Sequence, residues 1–68
     1  MRTITTLKTG EARQTRKTLG ARQTDIAAVL GVTRQAVSQW EAGIRRPSAE
    51  HAAAYGRLLA RLARQTAA

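Results

Sequence analysis

Apolar positions recur at helical spacing through most of the chain, and glycine or proline breaks cut the pattern into short segments. Ala12, Thr15, Arg16 and Leu19 share one face by the i, i+3, i+4, i+7 rule, which predicts a first helix over Gly10 to Leu19. Thr9 is its candidate N-cap, Glu11 suits the positive end of the macrodipole, and Gly20 supplies a stop. Ile26, Ala27 and Leu30 form the inward stripe of a second helix from about Gln23 to Leu30, closed by Gly31. Thr33 is placed to cap a third helix that runs to about Ala42. Val37 and Trp40 point inward there, Ala36 lies beside them, and Gly43 ends the helix. Beyond Pro47, Ser48 caps a stretch that reads to about Gln65 as one long helix or two short ones. Its apolar positions are Ala49, Ala52, Ala53, Leu58, Leu59 and Leu62, and Gly56 is the obvious place for a break or kink. Residues 1–9, MRTITTLKT, lack the helical period. Rich in threonine, they predict a disordered arm or one short strand, which would have to pair across a dimer because no second strand is present.

The pattern therefore predicts an all-α domain of four or five helices over residues 10–68, preceded by an N-terminal arm over residues 1–9. A chain of 68 residues makes one small domain with a modest core. It contains no cysteine and a single histidine, so neither a disulfide framework nor a metal site is expected. Tidy helix packing and dimerisation are the remaining routes to stability. No apolar run is long enough to span a membrane, and no charged-then-apolar signal segment opens the chain, so a cytoplasmic protein is expected. Catalysis is not expected. Glu11, Asp25, Glu41 and Glu50 have no evident second catalytic carboxylate, Ser38 and Ser48 have no histidine placed to activate them, and no glycine-rich loop would cradle a nucleotide. Neither a cofactor nor a small-molecule ligand is implied.

Charge sharpens the picture. The net charge is +8, and ten of the twelve basic residues are arginine. Arginine presents a planar fork that matches phosphate and the guanine edge, and so large an excess favours a polyanion partner. A membrane-surface helix would need large apolar residues on one face, yet the chain has one Trp, one Tyr and no Phe.

Residues 22–46, RQTDIAAVLGVTRQAVSQWEAGIRR, combine these signals. They read as two short helices joined by a tight turn at Gly31, the second presenting Thr33, Arg34, Gln35, Ser38 and Gln39. Ala27 is small where the two helices cross. Ile26, Leu30, Val32, Val37 and Trp40 hold the pair against the first helix. An ordinary helical hairpin would need an apolar stripe and a glycine, but not all seven positions filled in this way. This is the pattern of a helix-turn-helix that sets its second helix in the major groove of double-stranded DNA. With Val37 and Trp40 inward, the polar residues lie on or flank the outward face. Arg34 can donate two hydrogen bonds to guanine, Gln35 and Gln39 can pair with adenine, and Ser38 can reach a base or a phosphate. Gln23 opens the second helix, where backbone N–H groups favour a phosphate. Arg45 and Arg46 follow the third helix on a basic turn suited to the DNA backbone. Arg57, Arg61 and Arg64 read as a solvated face of the last helix, and His51 as a helix-start residue.

Residues 12–47, through the segments RKTLGARQTDIAAVLGVTRQAVSQWEAG and RRPS, resemble the Cro and phage-repressor (XRE-type) helix-turn-helix family. The resemblance implies a lambda-repressor-like fold. It implies a structural ion pair between Arg16 and Glu41, base reading by Arg34, Gln35 and Gln39, and phosphate anchoring by Gln23 and Thr33. The arm before Thr9 and the Ala-rich stretch after Pro47 depart from the common pattern. The expected function is a homodimeric transcriptional repressor of a phage, plasmid or other mobile element, bound to a palindromic operator. An antitoxin that autoregulates its operon and a protein-interaction module are the rival readings. Polar residues at 34, 35 and 39 argue against the module.

Overall fold

A computed structural model describes residues 9–66; the expected arm or strand over residues 1–8 lies outside the described residues. Four helices follow in order: α1 (Thr9–Thr18), α2 (Gln23–Leu30), α3 (Arg34–Glu41) and α4 (Ala49–Thr66). No strand occurs among the described residues. α3 packs against both α2 and α1, and α4 lies across α1 and α2. Ala12, Ile26, Ala27, Val37, Trp40, Tyr55, Leu58 and Leu59 form one shared core, with Leu19, Ala21, Leu30, Val32, Ala36 and Leu62 packed around it.

Local chemistry explains the boundaries. Gly31 takes φ +72° at the end of α2, a left-handed conformation that costs a β-carbon-bearing residue about 1–2 kcal/mol. That bend lets Val32 donate its N–H back to the Ala27 carbonyl and leaves Thr33 extended. The Thr33 hydroxyl then accepts from the Ala36 N–H at 3.1 Å and starts α3. Gly43, at φ +77°, ends the run after α3 in the same way. Ser48 caps α4 by accepting from the His51 N–H.

Several expectations need correction. Thr9 is the first residue of α1 rather than a cap outside it, and Thr15 is exposed at the edge of the inward face. Of the two readings open beyond Pro47, the single long helix holds: α4 runs continuously through Gly56, and only the break expected there is absent. A glycine inside a helix costs about 1 kcal/mol relative to alanine. The burial of Tyr55, Leu58 and Leu59 on either side of Gly56 exceeds that cost. Ala49 is exposed at the start of α4, because the stripe meets the core only from Ala52 onward. Tyr55, not among the expected core residues, is fully buried.

Candidate nucleic-acid interface

The outward face of α3 carries the candidate DNA-reading residues. Arg34 and Gln35 are exposed in its first turn, and Ser38 and Gln39 are partly exposed one turn later. Val37 and Trp40 anchor the opposite face in the core, so the orientation of these side chains is set by packing rather than by the loops. Arg45 and Arg46 are exposed on the turn that follows. That turn is tied back to α3, because the Ile44 and Arg45 N–H groups both donate to the Gln39 carbonyl, at 3.0 and 3.2 Å. The basic turn is thus held beside the last polar residue of the face. Ile44, at its tip, is 73% exposed.

Beneath this face lies a buried cluster that draws on all four helices. The Arg16 guanidinium of α1 grips Glu41 at the end of α3, Nε donating to Oε2 at 2.7 Å and Nη2 to Oε1 at 2.9 Å. Its Nη1 donates to the Ala21 carbonyl at 2.9 Å, so the same side chain fixes the α1–α2 connection. The Tyr55 hydroxyl of α4 donates to Glu41 Oε2 at 2.5 Å, and Gln23 Nε2 of α2 donates to Oε1 at 3.0 Å. A carboxylate at a helix C-terminus faces the negative end of the macrodipole. Four donors offset that cost, and among the described residues no buried side-chain nitrogen or oxygen lacks a partner.

The electrostatics follow from these contacts. Burial pushes the Glu41 carboxyl up, but the hydrogen bonds from Arg16, Tyr55 and Gln23, with the Arg16 charge, outweigh it and hold the group below its ordinary range. Burial, and then donation to Glu41, push the Tyr55 phenol well above its ordinary value. Arg16 is raised by the hydrogen bond to Glu41.

Gln23 has a second contact. Its Oε1 accepts from Arg34 Nη1 at 3.1 Å, so the first residue of α2 meets the first residue of α3. Beside this contact is a polar cleft of about 180 Å³ lined by Arg13, Arg16, Gln23, Ser38, Glu41 and Ala42. The Thr33 hydroxyl is already used in capping α3. Asp25 accepts from the Arg22 backbone N–H at 2.9 Å, which lowers its carboxyl, and lies within 3.3 Å of the Arg22 guanidinium.

Sequence reasoning missed Tyr55 and Arg13. Tyr55 lies three residues from both Ala52 and Leu58, on the buried stripe of α4, and a buried hydroxyl needs an acceptor. Arg13 is one helical turn before Arg16, on the exposed rim of the cleft.

A rigid helix pair with an outward polar face, a basic turn and a supporting first helix defines the class of helix-turn-helix DNA-binding regulators. A helix-turn-helix family model matches residues 13–63, and the chain belongs to this family, the XRE type that includes Cro and C1. The family binds double-stranded DNA and is generally non-enzymatic. No curated protein and no solved structure matches the chain. No helix among the described residues is long and apolar enough to cross a membrane.

Proposed function

We propose that the chain is a homodimeric transcriptional repressor of a phage, plasmid or other mobile element, acting in the bacterial cytoplasm or nucleoid on a palindromic operator. The observation that carries this reading is the outward row of Arg34, Gln35 and Gln39 on α3, bordered by the Arg45–Arg46 turn, in a chain of net charge +8. In this reading residues 10–68 are the DNA-binding domain and residues 1–9 an arm. Arg34, Gln35 and Gln39 read base edges, with Ser38 beside them. Thr33, Arg45 and Arg46 hold phosphates, Gln23 contributes through the backbone N–H groups at the start of α2, and Arg13 joins them from the rim of the polar cleft. Selection of bound duplexes from a random pool tests the reading: one enriched palindromic sequence supports it, and no enrichment rejects it.

Gripping a phosphate releases counterions, so each such grip appears in the salt dependence of binding. Replacing Arg45 and Arg46 by Ala is expected to weaken binding to all sequences alike. The slope of log affinity against log salt should flatten by up to about 0.9 for each phosphate no longer neutralised. Arg13→Ala should flatten it by the same amount for one phosphate. An unchanged slope would exclude the residue concerned from the phosphate interface.

The dimer reading draws on an apolar groove of about 280 Å³ whose lining includes Leu19, Ile26, Val29, Leu58 and Leu62. Leu58 and Leu59 are buried within the chain, whereas Leu62 is half-buried and Val29 is 61% exposed at the groove. One small module makes few contacts, and two third helices set one DNA turn apart cover two half-sites. Leu62→Glu should shift the protein toward monomer in sedimentation and weaken binding to a two-half-site duplex more than to a half-site. A monomer for the unmutated chain, both free at high concentration and on the palindromic site, would reject the dimer.

A further inference from the structure

Gln23 bridges the buried cluster and the candidate reading face, and the direction of that bridge is fixed by chemistry. A glutamine amide has a donor end and an acceptor end. Its Nε2 faces Glu41 Oε1 at 3.0 Å, and its Oε1 faces Arg34 Nη1 at 3.1 Å. An ionised carboxylate only accepts hydrogen bonds, so the amide must turn its NH2 group inward. Its carbonyl must then point outward, toward residue 34, where a guanidinium can only donate. Glu41 has no freedom to turn away. Arg16 and Tyr55 both donate to its Oε2, and Arg16 also holds Oε1, which leaves Oε1 aimed at Gln23. The chain of contacts runs from Tyr55 in α4 through Glu41 and Gln23 to the first residue of α3.

We propose that Tyr55 and Glu41 are positioning residues for Arg34, acting through Gln23 to hold its guanidinium in one orientation before DNA arrives. One donor of the fork is spent on the Gln23 carbonyl, and the remaining donors are presented outward in a fixed plane. A long side chain ordered in advance loses less conformational freedom on binding, and it discriminates between base edges because it does not adapt to the wrong one. The inference rests on the DNA-reading role of Arg34.

The test uses the full chain, with two measurements. In the free protein, the Gln23 side-chain amide is followed by NMR. Glu41→Gln, whose side chain can donate as well as accept, should shift or broaden the Gln23 NH2 resonances as the amide gains a second orientation. Tyr55→Phe, which keeps the ring in the core, should do so to a smaller degree and serves if Glu41→Gln does not fold. On a random duplex pool, both variants should lose about tenfold in discrimination at the base pair that Arg34→Ala also relaxes, the scale set by ordering one long side chain in advance. Discrimination at other base pairs should be unchanged, and neither variant should have a further effect in the Arg34→Ala background. A merely structural role would instead lower affinity for all sequences equally. That result, or unchanged Gln23 resonances in both variants, overturns the relay while leaving the DNA-binding reading intact. Failure of the unmutated chain to select any sequence would overturn both, and would be seen before any variant is made.

Discussion

Glu41→Ala is expected to destabilise the domain by about 3–5 kcal/mol, because it leaves a buried guanidinium without its counter-charge. The Arg16 and Glu41 side chains are only 8% and 2% exposed, so solvent cannot replace the missing partner. The Tyr55 hydroxyl and the Gln23 amide lose an acceptor in the same step. A domain of this size has a total stability of roughly 3–10 kcal/mol, so the variant should be largely unfolded or melt far below the parent. Denaturant unfolding measures this directly, and a loss below about 1 kcal/mol would mean that the cluster relaxes or rehydrates.

The same cluster sets the response to pH. The folded-state Glu41 carboxyl is held below its ordinary range, because the hydrogen bonds and charge around it outweigh the effect of burial. Its stabilisation is therefore complete above the unfolded carboxyl value, near about 4.3, and is lost as pH falls through the folded one. Asp25, lowered by the Arg22 backbone N–H, has the same sign. Tyr55 is raised, mainly by burial, so its contribution is complete below the unfolded phenol value of about 10 and is lost as pH rises through the folded one. Urea midpoints should be level between these limits. The fall at low pH should be shallower in Glu41→Gln than in the parent.

The fold was legible wherever the sequence carries its own local instruction. Gly31, Thr33, Gly43 and Ser48 mark turns and caps whose chemistry is complete within a few residues, so the limits of α2 and the start of α3 could be read directly. Gly56 was misleading for the opposite reason. Its local preference for a break is real, but the competing gain comes from burying Tyr55, Leu58 and Leu59 against helices distant in sequence. Tyr55 was missed because its acceptor lies 14 residues away on another helix. The bond between Gln23 and Arg34 was illegible too. Each residue reads singly as a polar group at a helix start, and only the crossing of α2 and α3 brings the two side chains within 3.1 Å. The ion pair of Arg16 and Glu41, 25 residues apart, entered through family resemblance rather than spacing, since no periodic rule connects positions on α1 and α3. Sequence pattern thus identifies which residues face outward, while the contacts that orient them depend on the assembled helices.

The double variant Gln35→Ala and Gln39→Ala is expected to keep the fold and to lose most of its operator preference. Both residues project from the face of α3 opposite Val37 and Trp40, and neither side chain belongs to the buried cluster or to a helix cap. Alanine also favours a helix more than glutamine does, so α3 should lose nothing. The circular dichroism spectrum and melting temperature should match the parent. Each glutamine that pairs with an adenine edge contributes about 1–3 kcal/mol of discrimination. Because they occupy successive turns of one face, they reach different base pairs, and the losses should add to about 2–6 kcal/mol. Binding to non-operator DNA should change little, since that affinity comes from phosphates gripped by arginine. The variant should therefore keep only the part of the operator preference that Arg34 supplies, with an unaltered salt slope. An undiminished operator preference in a folded double variant would overturn the base-reading role proposed for Gln35 and Gln39.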